Sequence, residues 1–318
     1  MGQPSFWYAR FSYVAQVLRP LGFIYEKIVA HRLKKIKPYA CSIPVICVGN
    51  ISVGGTGKTP VCLALADYFI RQNKNAVFLN HGYKSVLQNI LIDQRVHTFE
   101  EVSDEALIFA SKLPTVVDRN RARGAQKIES IGADVIIMDD GFQNPTLRKD
   151  ISLVVFDGAR GIGNGYVMPA GPLRESLKQG LKRASAAVIV GDDKTGLVAQ
   201  ICQAYPKLPI LTGHIEASQA LRGITGVAFA GIGFPKKFFS MLQSIGVHLI
   251  ETISFPDHYA YTRKDIEAIL QKGYPVLTTM KDAVKIDEDL RSELTIVDID
   301  FVFDNPEKLD LLLERKLK

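Results

Sequence analysis

Cysteine is scarce in this 318-residue chain. Cys41, Cys47, Cys62 and Cys202 form no C-x-x-C pair and have no histidines at ligand spacing. That excludes a disulfide framework and a zinc-ribbon site, and it suits a reducing cytoplasm. Long apolar runs are also missing. Arg10, Arg19 and Pro20 interrupt the N-terminal region well short of the ~20 residues a membrane-crossing helix needs. No compact apolar stretch leads into a small-residue cleavage site, so no cleavable signal is expected. Internal repeats and low-complexity segments are absent by inspection.

The charge that is present sits unevenly. The net value of +6 points to a polyanionic partner without saying whether it is nucleic acid, anionic lipid or a phosphorylated substrate. Residues 1–38 carry Arg10, Arg19, Lys27, Arg32, Lys34, Lys35 and Lys37 against the single acid Glu26, and they hold the only tryptophan, Trp7. Trp7, Phe11, Val14 and Leu18 recur at helical spacing, and Pro20 is expected to break or kink the helix. Two readings stay open: a helix lying in a membrane interface with basic residues at the headgroups, or one docking its apolar face on the protein's own core.

From residue 43 onward, short β-branched runs alternate with helical patterns. Strands are predicted at 43–48, 76–79, 135–138, 152–156 and 187–190, with helices at 58–71, 103–112 and 120–131 between them. This rhythm predicts parallel strands joined by right-handed crossovers. A second alternation runs through strands 227–230, 249–253, 276–278 and 295–299, with helices 235–244 and 263–271. The polar stretch 212–219, with Gly223 and Gly226 beyond it, reads as the junction. The expectation is an α/β protein with a P-loop NTPase-like parallel sheet core and a second, smaller α/β domain. The predicted parts are an N-terminal helix at 1–38, a core at 39–220 and a smaller unit at 221–318.

The strongest local signal is Ser52-Val53-Gly54-Gly55-Thr56-Gly57-Lys58-Thr59, between a predicted strand and a predicted helix. Glycines there let backbone amides wrap a polyphosphate, Lys58 reaches the β- and γ-phosphates, and Thr59 supplies a hydroxyl for Mg²⁺. Ser52 stands where G-x-x-x-x-G-K-[ST] has its first glycine. The predicted strand 135–138 runs into Asp139 and Asp140, adjacent carboxylates that repel without a cation and so suit a magnesium arm. No N-K-x-D motif announces guanine. Val53 stands where membrane-associated switch ATPases commonly place a lysine before the Gly-Gly pair. A switch NTPase and a P-loop kinase or ligase of a soluble substrate remain alternatives at this point.

Taken together, Gly49 to Pro60, then Asp139-Asp140-Gly141-Phe142-Gln143, then Pro169-Ala170-Gly171-Pro172-Leu173-Arg174-Glu175 resemble the tetraacyldisaccharide 4′-kinases of lipid A biosynthesis. The second half carries further motifs in the same order: Ala230-Gly231-Ile232-Gly233, Asp257-His258 and Thr278-Thr279 before Lys281-Asp282-Ala283-Val284-Lys285. The resemblance implies transfer of the ATP γ-phosphoryl group to the 4′-hydroxyl of a tetraacylated disaccharide 1-phosphate. The setting it implies is the cytoplasmic face of the bacterial inner membrane. Its partners would be an anionic glycolipid and a lipid surface, with no nucleic acid and no obligate protein partner.

By the same resemblance, Asp104 and His258 act together as the base, an acceptor hydroxyl needing a group placed to take its proton. Arg174 would stabilise the transferring phosphate, Glu175 assist metal or acceptor, and Gln143, Asn144 and Arg119 contact substrate. Asp118, Arg119, Arg121 and Arg123 could bind phosphate, with a solvated helix face the safer reading for Arg121 and Arg123. The chain departs from the family pattern at Asn80-His81 (commonly Ser-Arg), Asn144 (often His), Met280 (commonly Glu), and at Ser103 and Ala106, which flank Asp104 in place of Gly and Pro.

Overall fold

A computed structural model describes residues 3–317. Thirteen strands run along the described residues. They are β1 (Val45–Gly49), β2 (Ala76–Asn80), β3 (Ile90–Leu91), β4 (Thr115–Val117), β5 (Val135–Asp139), β6 (Ile151–Asp157), β7 (Ala186–Val190), β8 (Ile210–Ala217), β9 (Thr225–Ala230), β10 (His248–Ser254), β11 (Val276–Thr279), β12 (Thr295–Val297) and β13 (Ile299–Phe303). Nine of them form one sheet in the order β13-β8-β7-β6-β1-β5-β2-β4-β3, and four form another in the order β10-β9-β11-β12. The large sheet is parallel except at its edges, where β3 and β13 run antiparallel to β4 and β8. The small sheet is parallel throughout.

Side-chain alternation explains why the central strands read as continuous apolar runs. In β1, Val45 and Cys47 enter one core while Ile46 and Val48 enter the core on the opposite face. Both faces are covered, so no polar alternation appears. The helix α2 (Lys58–Arg71) covers the second face with Cys62, Leu65, Ala66 and Phe69. Leu309, Leu312 and Leu313 of the C-terminal helix join the same core.

That last contact corrects the predicted boundaries. Residues 299–317, assigned to the smaller unit by sequence, return to the large sheet, where β13 lies beside β8. The predicted strand 295–299 is two strands: β12 pairs with β11 in the small sheet, and after Asp298 the chain enters the large one. Alternation continues across the crossing, so the pattern alone does not reveal it. Much of the predicted junction at 212–219 is strand as well. Thr212, His214 and Glu216 of β8 occupy its wetter positions, while Leu211, Gly213 and Ala217 are buried.

The N-terminal region also differs. Trp7 lies in a short 3₁₀ turn, Ser5–Trp7, separate from the helix α1 (Tyr13–Lys35), and its buried indole N–H donates to the Pro169 carbonyl at 3.0 Å. Pro20 sits inside α1 without ending it. Only Ala15 and Gly22 of α1 are buried. Gly22 permits the close approach, because a Cβ there would lie 2.7 Å from the Val167 carbonyl oxygen. The apolar face points outward instead of onto the core: Tyr13 is 80% exposed, Val17 76%, Ile28 62% and Phe23 60%. No helix among the described residues is long and apolar enough to cross a membrane.

Candidate active site

The phosphate loop leaves β1, between β5 and β6, and opens α2. Gly54 and Gly57 adopt φ of +106° and +89°, a region that L side chains rarely enter. Gly55 faces open space. The departure at Ser52 is absorbed because Ser52 needs no left-handed backbone. It pairs in extended form with Leu173, Val53 N–H donating to the Pro172 carbonyl at 2.8 Å and Arg174 N–H to the Ile51 carbonyl at 2.7 Å. Buried Asn50 braces the loop from inside, its side-chain amide donating to Thr56 Oγ1 at 3.2 Å. The loop is therefore shaped by neighbouring chain as well as by its glycines.

Register brings Asp139, the last residue of β5, level with Val48 of β1. The two acids at this strand end differ in environment. Burial pushes the Asp139 carboxyl up, and the charges of Glu105 and Asp140 add to this against Lys58 and Arg121. Asp140 is pushed up by burial too, but the Lys58 ammonium at 3.7 Å and the Arg174 guanidinium at 3.2 Å overcome this and hold it below the usual carboxylate range. Asn80 donates to Asp139 Oδ2 at 3.1 Å and accepts from Gly82 N–H at 2.7 Å.

Arg121 was read as lying on a solvated face and is instead buried. Its guanidinium donates to the Leu79 and Asp139 carbonyls, tying together the ends of β2 and β5. Arg123 forms two hydrogen bonds with buried Asp118.

The Pro169–Glu175 segment divides its work. Arg174 reaches Asp140, whereas Glu175 turns to Gln143 and Arg183. Its oxygens accept from Gln143 at 2.9 Å and from both terminal nitrogens of Arg183 at 2.6 and 2.9 Å. Burial with a bidentate guanidinium partner makes this a brace for the loop. Gln143 also donates to the Asn50 carbonyl. The Asn144 side-chain oxygen is taken by Thr146 N–H and Oγ1, and the Arg119 guanidinium donates to the Ser85 carbonyl. In this arrangement these two side chains make local turn and loop contacts.

Asp104 opens the helix Asp104–Ala110 on the large sheet, and His258 follows β10 of the small sheet. Their separation in sequence is bridged at 3.0 Å, His258 Nδ1 to Asp104 Oδ2. Burial raises the Asp104 carboxyl, but the hydrogen bond from His258 and the ammonium of Lys281 outweigh it and hold it below its ordinary value. His258 is seated from behind. Asp282, itself fully buried, accepts from Gly231 N–H, Tyr261 Oη, Thr279 Oγ1 and Lys285, and the Gly231 carbonyl accepts from His258 N–H at 3.2 Å. A Cβ at Gly231 would lie 2.6 Å from Tyr261 Oη, so the residue has no room for a side chain.

Three non-glycine residues of this site have left-handed φ: Ser103 at +85°, Asp140 at +45° and His258 at +59°. Such backbone costs of order 1–3 kcal/mol per residue and gathers where function over-determines the fold. At Ser103 a glycine would adopt this backbone without strain.

The two sheets touch beyond this point through Lys237 and Asp157 at 3.1 Å, and through the Arg160 guanidinium, which lies over the rings of Tyr8 and Phe234. Among the described residues no cluster of three His, Cys, Asp or Glu is arranged to hold a metal. The two carboxylates of the strand end and the Thr59 hydroxyl in the first turn of α2 are hard oxygens. They suit Mg²⁺, which keeps waters and phosphate oxygens in its shell and needs few protein ligands.

Comparison with known proteins shows the family. Residues 14–318 match the family model described as tetraacyldisaccharide-1-P 4′-kinase. Relatives named tetraacyldisaccharide 4′-kinase include one from Rhodospirillum rubrum, 41% identical over 99% of this chain and 98% of its own length, and one from Paramagnetospirillum magneticum, 44% identical over the same shares. The crystal structure described as the "apo" form of LpxK from Aquifex aeolicus in complex with ATP superposes with a TM-score of 0.78. It is 27% identical and covers 96% of this chain and 100% of its own. With a family model matching residues 14–318 and relatives 41% and 44% identical over nearly the whole chain, the chain belongs to the tetraacyldisaccharide-1-phosphate 4′-kinases.

Proposed function

We propose that this protein transfers the γ-phosphoryl group of ATP to the 4′-hydroxyl of tetraacyldisaccharide 1-phosphate, giving the 1,4′-bisphosphate of lipid A biosynthesis. The observation that carries the reading is the juxtaposition of a phosphate loop with a carboxylate–imidazole pair supplied by two different sheets. Glu105, next to Asp104, is close enough for its charge to bear on Asp139. A proton acceptor and a phosphate cradle at one cleft are what an alcohol-accepting kinase requires.

In this proposal the loop 52–59 cradles the triphosphate, with Lys58 on its outer phosphates. Thr59, Asp139 and Asp140 would hold Mg²⁺, whose charge offsets that of the phosphate oxygens when it is bound. Arg174, already paired with Asp140, is placed to follow charge as it moves onto the transferring group. Asp104 and His258 act as a unit that accepts one proton from the sugar hydroxyl. Gln143 and Glu175 hold the Arg174 loop in place.

The membrane reading rests on α1. Tyr13, Val17, Phe23 and Ile28 are exposed on a helix that also presents Arg19, Lys27 and Arg32. A monotopic helix at the cytoplasmic face of the inner membrane fits such a surface. We further propose that 1–38 is the interface segment, that 39–217 with 299–318 forms the phosphate-binding body, and that 218–298 closes over it. Small-angle scattering with and without an ATP analogue and acceptor tests the closure, an unchanged envelope counting against it.

The deciding experiment incubates purified protein with Mg-ATP and detergent-dispersed tetraacyldisaccharide 1-phosphate and reads the lipid by mass spectrometry beside Asp104→Ala. A bisphosphorylated product that nearly vanishes in the variant supports the proposal. ATP hydrolysis with unmodified lipid would overturn it.

A further inference from the structure

Beside the Asp104–His258 pair lies a cation without a role so far. Lys281, at the start of the short helix Met280–Ala283, places its Nζ 3.5 Å from His258 Nε2, the ring nitrogen not engaged with Asp104. The same ammonium stands 3.8 Å from Asp104 Oδ2, 3.9 Å from Glu105 Oε1 and 3.6 Å from Asp257 Oδ1. Its side chain is only 22% exposed. Burial alone would favour the neutral amine, but the charges of Asp104, Glu105, Asp257 and Asp282 outweigh it, so Lys281 is held firmly cationic.

The groups facing the imidazole come from every side. Asp104 and Glu105 belong to the helix Asp104–Ala110, Lys281 to its own helix and Asp257 to the preceding residue. The Tyr83 ring, with Lys84 over it, lies 5.9 Å from the imidazole. An ammonium has donors and no acceptor, so the nitrogen turned towards it is best left bare. The other nitrogen then carries the proton and donates it to Asp104. An Nε2–H would set two donors against each other, and Asp257 Oδ1, 3.9 Å from Nε2, is too far to accept its hydrogen.

We propose that Lys281 is a positioning residue for the proton-accepting pair: it fixes His258 in the tautomer with Nδ1–H on Asp104 and bare Nε2, so the pair has capacity for a single proton from the acceptor hydroxyl. The proton moves from the sugar oxygen to the pair as that oxygen bonds to the γ-phosphorus of ATP and the bond from that phosphorus to the bridging oxygen breaks, ADP leaving with the electron pair; Lys281 neither gains nor loses a proton. This rests on the assignment of Asp104 and His258 as the base.

The test combines spectroscopy and kinetics on the full-length protein. In ¹⁵N-histidine-labelled wild type, with the signal assigned by loss in His258→Asn, Nδ1 is expected to be protonated and Nε2 bare. The reverse tautomer overturns the proposal whatever the variants do. In Lys281→Met, the acidic limb of the kcat profile should move to higher pH by about one unit, because a cation that opposed protonation of the pair is gone. KM for Mg-ATP should stay within about twofold. Lys281→Arg, which keeps the charge, should restore the limb, and thermal melting checks that each variant is folded. An unmoved limb in folded Lys281→Met would leave the lysine a merely structural role. His258→Ala and Asp104→Ala run alongside. If they retain kcat, the base assignment has failed; if they lose it while Lys281→Met leaves the limb unmoved, only the role of Lys281 has.

Discussion

The two halves of the site are built in opposite ways. The phosphate half, Ser52 to Thr59 with Asp139 and Asp140, comes from adjacent strand ends of one sheet, and hydrogen bonds to 172–174 fix its backbone. The half proposed to accept the proton joins a helix of the large sheet to a loop and a short helix of the small one through side chains, at Asp104, His258 and Lys281. The first half is written in contiguous motifs and set by backbone register. The second exists only once both sheets are in place. A fault in the first should therefore injure nucleotide handling, and a fault in the second should spare it.

Substitutions that separate those outcomes sharpen the contrast. The largest expected effect is on kcat in His258→Ala and Asp104→Ala, a fall of about 10²- to 10⁴-fold. KM for ATP should be nearly unchanged in steady-state assays. Arg174→Met on the phosphate side should lower kcat by about 10²- to 10³-fold, and nucleotide-binding calorimetry should show weaker Mg-ATP binding as well. If Arg174→Met left nucleotide affinity intact while Asp104→Ala destroyed it, the division would be wrong.

Stability effects follow. Arg183→Met leaves Glu175 buried without its bidentate partner, and a loss of about 3 kcal/mol is expected in urea unfolding near pH 7. Asp104 should show a pH signature. Its folded-state value is depressed, so its contribution is complete above the unfolded carboxylate value of about 4 and is lost as pH falls through the folded value. Wild type and Asp104→Asn should then differ in melting temperature at neutral pH and converge in acid. A gap that widened in acid would contradict this. The smallest change is a gain. Ser103→Gly relieves φ of +85° and ψ of 151° at the cost of a long 3.4 Å capping bond to Ala106 N–H. About 1 kcal/mol of added stability should result, readable as a higher melting temperature with kcat little changed.

Much of this molecule was legible before its coordinates. The glycine-rich loop lies between a strand and a helix as expected, and Asp139 ends its strand. Apolar runs placed the central strands because both faces of the sheet are covered. What the sequence hid was long-range. Arg121 looked solvated by composition, yet it shares a helical stripe with buried Gly124, Ala125 and Ile128, a spacing of three, four and seven that would have pointed inward. Asn80 and Lys281 gave no local sign of their partners, since Asp139 and His258 arrive from distant segments. Strand β8 was misread because one wet face gives it turn-like residues, and Asp298 gave no hint that the chain changes sheets there.

That crossing has a consequence of its own. Ala217 ends β8 and Ile299 begins β13, and the two are paired residues on antiparallel neighbours, so the entry and exit of the small sheet stand side by side, about 5 Å apart. Topologically, 218–298 is a hairpin loop that has grown into a folded body. An insert of that kind can be gained, exchanged or lost without cutting the sheet that carries it. Replacing it with a short turn should leave a folded nucleotide-binding protein without His258 to offer its acceptor.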